Sequence, residues 1–194
     1  MVNPVILAIA LVALNVLHAA AQPAGTFDPD ALRTPGRLCT LLADRGLASV
    51  DGWSASRSEP GGYVCRPLGA AVAVGGGPSP TMLNAYVYGG GARKLDRFTL
   101  KLNVFNTGTA DAGKRALLDA ANMVAAEMRL QLPPDVERLV RAQPVRMLQA
   151  APADRPRTLF RQQIGAMVVH LEADQSKVTS LLIHFRNPAE SGLW

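Results

Sequence analysis

Two runs of strict alternation, joined by a glycine-rich linker, constrain this chain more than any other feature. Apolar Leu83, Ala85 and Val87 alternate with Asn84, Tyr86 and Tyr88. Beyond Gly89-Gly90-Gly91-Ala92-Arg93-Lys94, the residues Phe98, Leu100, Leu102 and Val104 alternate with Arg97, Thr99, Lys101 and Asn103. Successive strand side chains point to opposite faces, so a period of two on both sides of a turn predicts a β-hairpin. Pairing Tyr88 with Leu95 sets Tyr86 opposite Arg97, Ala85 opposite Phe98 and Leu83 opposite Leu100. One face is then apolar. The other carries Tyr86, Tyr88, Arg97, Thr99 and Lys101, with Arg93 at the turn.

The apolar face requires a cover, and helical periodicity on either side of the hairpin supplies it. Thr34-Pro35 is a start signal, with Leu38, Leu41 and Leu42 at helical spacing until Gly46. A second helix runs from about Thr109 to Leu130, with Leu117, Ala120, Ala121, Val124 and Met128 on one stripe. Pro133-Pro134 stops it and opens a short helix that buries Val136, Leu139 and Val140. Strands are expected around Val145–Leu148 and over Thr158–Gln162, Ala166–Glu172 and Lys177–Arg186, the last two forming a hairpin with Glu172 opposite Lys177. Strands gathered around one helical block, without strict alternation, predict an α+β domain: a mainly antiparallel sheet with helices packed on one face.

Cys39 falls on the first helix and Cys65 on the strand-like Tyr63-Val64-Cys65; these are the only cysteines. Two cysteines exclude a Cys-only zinc site, which needs four ligands. The Cys-x-x-Cys spacing of redox pairs is missing, so a structural disulfide tying the N-terminal helix to the sheet is expected, worth about 3 to 4 kcal/mol in the chain-entropy model. An oxidising compartment agrees with the N-terminus. Val5 to Leu17 is apolar apart from Asn15 and runs into Ala19-Ala20-Ala21, the pattern of a signal peptide cleaved after Ala21. Residues 1–21 are therefore assigned to a signal peptide, 22–33 to a flexible segment, 34–187 to a single domain and 188–194 to a frayed tail. No stable membrane span remains after cleavage, and the protein is expected in the periplasm or secreted.

The chain's net charge of +5 resides beyond residue 21. Export argues against nucleic acid as the partner of that charge. Gly108-Thr109-Ala110-Asp111-Ala112-Gly113-Lys114-Arg115 resembles a phosphate loop, but Arg115 stands where a hydroxyl must hold Mg²⁺ and Asp111 would oppose the phosphates. The alternative is a helix entrance capped by Thr109, with Lys114 on a solvated face. With Glu172 opposite Lys177, His170 and His184 point to opposite faces, which excludes a shared metal and leaves His184 at a sheet edge. No G-x-S-x-G elbow occurs. Asp135 and Glu137 diverge on a helix, and both carboxylate pairs, these and Glu172 with Asp174, read as solvated surface. No cofactor or metal is expected.

Thr34-Pro35-Gly36-Arg37-Leu38-Cys39, Tyr63-Val64-Cys65, Leu100-Lys101-Leu102-Asn103-Val104 and Leu130-Gln131-Leu132-Pro133, in that order, resemble small exported bacterial proteins of unknown function. The order of elements is also similar to secretion chaperones and periplasmic inhibitor domains. The resemblance implies a fold and no activity. What remains is the polar hairpin face, where Tyr and Arg, the residues that dominate binding surfaces, gather. A non-enzymatic exported binding or accessory domain, with an acidic protein or envelope polymer as partner, is the expected function. A small cofactor-free hydrolase of the cell envelope is the alternative.

Overall fold

A computed structural model of the chain describes residues 35–48, 52–58, 60–65, 71–77, 79–145, 156–165, 167–174 and 179–188. Residues 1–21, read above as a signal peptide, residues 22–33, the strand expected around Val145–Leu148 beyond Val145 itself, and the end of the tail lie outside these residues. The fold is α+β, with an eight-stranded antiparallel sheet and, among the described residues, three α-helices. None of those helices is long and apolar enough to cross a membrane.

Helix α1 spans Pro35–Ala43 and buries Leu38, Cys39 and Leu42. Gly46 ends it at φ +70°, a left-handed conformation that costs glycine little. The Leu47 amide then donates to Leu42 O at 2.8 Å and the Gly46 amide to Ala43 O at 2.9 Å, a Schellman closure that satisfies two terminal carbonyls. Cys39 is bonded to Cys65, with Cα atoms 5.4 Å apart, so α1 is tied to the sheet as its sequence implies.

The strands are β1 Trp53–Ala55, β2 Tyr63–Cys65, β3 Ala71–Val74, β4 Thr81–Gly89, β5 Arg97–Val104, β6 Arg157–Ile164, β7 Met167–Asp174 and β8 Thr179–Arg186. They lie in the order β1-β2-β4-β5-β8-β7-β6, with β3 also paired to β4. The β4–β5 register differs by two residues from the expectation: Tyr88 faces Arg97, Tyr86 faces Thr99 and Ala85 faces Leu100. A shift of two preserves the faces. Gly89 closes the hairpin, because a Cβ there would lie 1.8 Å from the Lys94 carbonyl oxygen and 2.9 Å from the Trp53 ring.

Helices α2 (Ala110–Glu127) and α3 (Pro134–Ala142) cover the apolar face. Leu117, Ala121 and Val124 of α2 meet Phe98, Leu100 and Leu102 of β5 and Leu181, Ile183 and Phe185 of β8 in one fully buried cluster. Val136 and Val140 of α3 join it, while Leu139 is partly buried against it.

Two expectations for the entrance of α2 are corrected. Thr109 occupies the cap position, yet its hydroxyl lies 2.7 Å from that of Thr81 and caps no α2 amide; Asn106 instead accepts from the Gly108 amide at 2.8 Å. Lys114 is not solvated. It is only 7% exposed, and its Nζ donates to Arg141 O at 3.1 Å and to Gln143 O at 2.6 Å. The ammonium thereby closes the C-terminus of α3, where unsatisfied carbonyls and the helix dipole both favour a cation.

Candidate functional site

The face opposite the helices is built by the even-numbered residues of β4, β7 and β8 and the odd-numbered residues of β5. Register stacks them into rows across the sheet. One row reads Tyr88, Arg97, Arg186; the next Tyr86, Thr99, His184, His170, Arg161; the third Asn84, Lys101, Leu182, Glu172. Tyr86, Tyr88, Arg97, Thr99 and Lys101 line one cleft of about 270 Å³ together with Leu182, His184 and Arg186 of β8 and with Val64, Ser56 and Ser58 from the β1–β2 end. Arg93 stands apart in the turn, exposed and outside that lining.

Three cations and no carboxylate line this cleft. The Arg97 guanidinium lies 5.6 Å from the centre of the Tyr88 ring, a cation–π contact that holds it at the rim. Burial, reinforced by the nearby Arg97 charge, lowers the Arg186 pKa from its ordinary value. A guanidinium remains charged at neutral pH even so, and two like charges side by side make an anion-attracting floor.

The β7–β8 register overturns the reading of the histidines. His170 and His184 are directly paired, not set on opposite faces, because β7 and β8 meet at Leu171–Ile183 and Val169–Phe185. Their rings stack with centroids 5.5 Å apart. His184 is no edge residue, since β8 lies between β5 and β7 in the sheet. Glu172 faces Leu182 and does not flank a turn opposite Lys177, which lies outside the described residues. It is half-buried beside the histidines rather than part of a solvated pair. Asp135 and Glu137 do lie on the surface, paired with Arg138 and Arg141.

Each imidazole is pinned through one nitrogen by a threonine. Thr99 Oγ1 lies 2.9 Å from His184 Nδ1, and Thr158 Oγ1 lies 3.0 Å from His170 Nε2. His184 Nε2 lies 4.0 Å from Glu172 Oε2, too far for a hydrogen bond, and no other hydrogen-bond partner meets it among the described residues. Burial first, then the Arg186, His170 and Arg97 charges, push His184 down to about 3, so its ring is neutral at physiological pH. Burial, Arg186 and Arg161 lower His170 in the same direction. Burial raises Glu172, against the pull of Arg186.

The hairpin half of this site was within reach of parity, whereas His170, Glu172, His184 and Arg186 were missed as members of it. Their signal lay in the sequence: His170 and Glu172 on one strand, and His184 and Arg186 on the next, each two apart and therefore on one face. The alternating Leu181, Ile183 and Phe185 fix which face that is.

A family model described as a family of unknown function (DUF6030) matches residues 4–151. That span includes Tyr86, Tyr88, Arg97, Thr99 and Lys101 and ends before β6, β7 and β8. No curated protein and no solved structure matches.

Proposed function

We propose, for a chain that belongs to the DUF6030 family of unknown function, an exported, non-enzymatic binding domain whose sheet cleft captures acidic groups of a protein or envelope polymer. The observation that carries this reading is the convergence of Arg97, Lys101 and Arg186 with the Tyr86 and Tyr88 rings on one concave surface without a carboxylate in its lining. Guanidinium groups pair carboxylates or phosphates through directed hydrogen bonds, and tyrosine rings bury area at low entropic cost. Export is supported by the apolar N-terminal segment and by the Cys39–Cys65 bond, since such bonds persist in oxidising compartments.

The hydrolase alternative needs a nucleophile against a base that is itself oriented by an acid. Here the hydroxyl on His184 belongs to Thr99, which is buried at 7% exposure, and the carboxylate on the other side is 4.0 Å away. That line favours a fixed imidazole over proton relay.

The test uses poly-L-glutamate as the probe. The parent is expected to bind it with an affinity that falls as salt rises, and Tyr86→Ala/Arg97→Ala/Lys101→Ala to bind about tenfold or more weakly while melting like the parent. Equal binding by the two proteins would defeat the proposal.

A further inference from the structure

We propose that His170, Glu172 and His184 form a binding site for a divalent transition-metal cation of the zinc type, built across the β7–β8 ladder. One ligand atom from each of the three lies within 4.8 Å of the others. Two imidazoles and a carboxylate are the donor set of catalytic zinc and of non-haem iron centres, and each such site keeps at least one coordination position open. The arrangement follows from the sheet: His170 and Glu172 share a face two residues apart, and His184 stands directly across from His170.

The strongest observation is the gap between His184 and Glu172. His184 is 94% buried, with exposure of only 6%, and its Nε2 meets no hydrogen-bond partner among the described residues. Leaving a buried polar atom unsatisfied is costly, so the atom calls for an occupant. When Thr99 accepts the Nδ1 proton, Nε2 turns a lone pair toward Glu172 Oε2 at 4.0 Å. Two acceptors facing one another repel, but a cation between them reverses the sign. Metal–nitrogen and metal–oxygen bonds of about 2.0 to 2.2 Å each would span that gap. In tetrahedral geometry ligand atoms sit about 3.4 Å apart, so separations of up to 4.8 Å in the triad must close by up to about 1.4 Å, which side-chain rotation supplies.

The outer partners agree. A metal-binding histidine characteristically has its second nitrogen held by a neighbouring group, which fixes tautomer and ring plane. Thr99 and Thr158 do this for His184 and His170, and Nε2 of His184 is the buried atom left without a hydrogen bond on the Glu172 side. Against a dication stand Arg186, Arg161 and Arg97, which are close enough to act on the histidines; Asp174 adds a second carboxylate near Glu172. A dication with one carboxylate retains net positive charge, so an anion at the open position would satisfy metal and guanidinium together. His184 belongs to both the triad and the cleft, which places that position beside the anion chemistry proposed above. The metal site itself does not depend on that reading.

The full chain, stripped with chelator, is titrated with Zn²⁺ alone by calorimetry and with Co²⁺ alone by visible absorption. One equivalent is expected to bind, with Co²⁺ ligand-field bands showing nitrogen and oxygen ligation. Glu172→Gln and His170→Gln should each weaken binding about tenfold or more, and Thr99→Val should weaken it through loss of ring positioning. Asp135→Asn, on the exposed face of α3 and outside both the triad and the cleft, should bind as the parent does. Metal-free melting of Glu172→Gln is expected to match the parent, which separates a lost ligand from a lost fold. Absence of one-equivalent binding, or its survival in Glu172→Gln and His170→Gln, would overturn the site. Poly-L-glutamate binding by Glu172→Gln without metal should remain, so failure of the metal site and failure of the anion cleft are read separately.

Discussion

Replacing Lys114 by methionine isolates the contribution of an ammonium that reaches from α2 to the end of α3. The methionine keeps most of the buried aliphatic stem while removing two hydrogen bonds to Arg141 O and Gln143 O. Bonds from a charged donor contribute about 1.5 to 3 kcal/mol each, which sets a gross loss of about 3 to 6 kcal/mol. Two effects reduce it. The ammonium no longer has to be desolvated, and Arg141 and Gln143 lie near the surface, where water can reach their carbonyls. The net destabilisation expected is about 2 kcal/mol, or a melting-point drop of about 4 to 8 °C for a chain of this size. Urea unfolding followed by far-ultraviolet circular dichroism measures it. Arg115→Met, one position along and exposed, is the control and should stay within about 0.5 kcal/mol of the parent. If Lys114→Met also stays within that margin, the ammonium is solvated and the capping role assigned to it is wrong.

The double variant Cys39→Ser/Cys65→Ser opens a loop of 26 residues and should lose about 3 to 4 kcal/mol in the same assay, with a loss below about 1 kcal/mol counting against loop-closure entropy as the source of stability. Gly89→Ala drives a methyl into the Lys94 carbonyl and the Trp53 ring, so the β4–β5 turn must shift; about 2 to 4 kcal/mol is expected, and a parent-like denaturation midpoint would show that the turn yields without cost.

The fold was legible wherever period and punctuation agreed. Alternation placed β4 and β5, the 3.6-residue stripe placed α2, and Pro35, Gly46 and Pro134 marked helix ends at or near the positions observed. Lys114 was not legible, because its partners are carbonyls at the end of another helix and no residue near it in sequence signals them. Thr109 failed for a related reason: a hydroxyl that local rules assign to a cap is drawn to Thr81, 28 residues away. The hairpin residues of the cleft could be grouped because they lie on consecutive strands joined by one turn. Their neighbours on β8 enter only through the β5–β8 pairing, which crosses α2, α3, β6 and β7 in the chain.

The histidines show which of two competing signals should decide a register. Placing Glu172 opposite Lys177 gains one exposed ion pair, worth about 0 to 1 kcal/mol. It also pairs odd-numbered residues of one strand with even-numbered residues of the other, so that Leu181, Ile183 and Phe185 could share the core face only with Val168, His170 and Glu172. The observed register instead sets Leu181 opposite Ala173, Ile183 opposite Leu171 and Phe185 opposite Val169, all buried. Full burial of each large apolar side chain contributes about 1.5 to 3 kcal/mol, so the core alternation outweighs the turn charge several times over. Once the odd-numbered residues are committed to the core, the even-numbered ones have no choice of face. His170 must then meet His184, with Glu172 two residues along, and the juxtaposition from which the metal site is argued is fixed by the packing of Leu171, Ile183 and Phe185 on the opposite face of the same two strands.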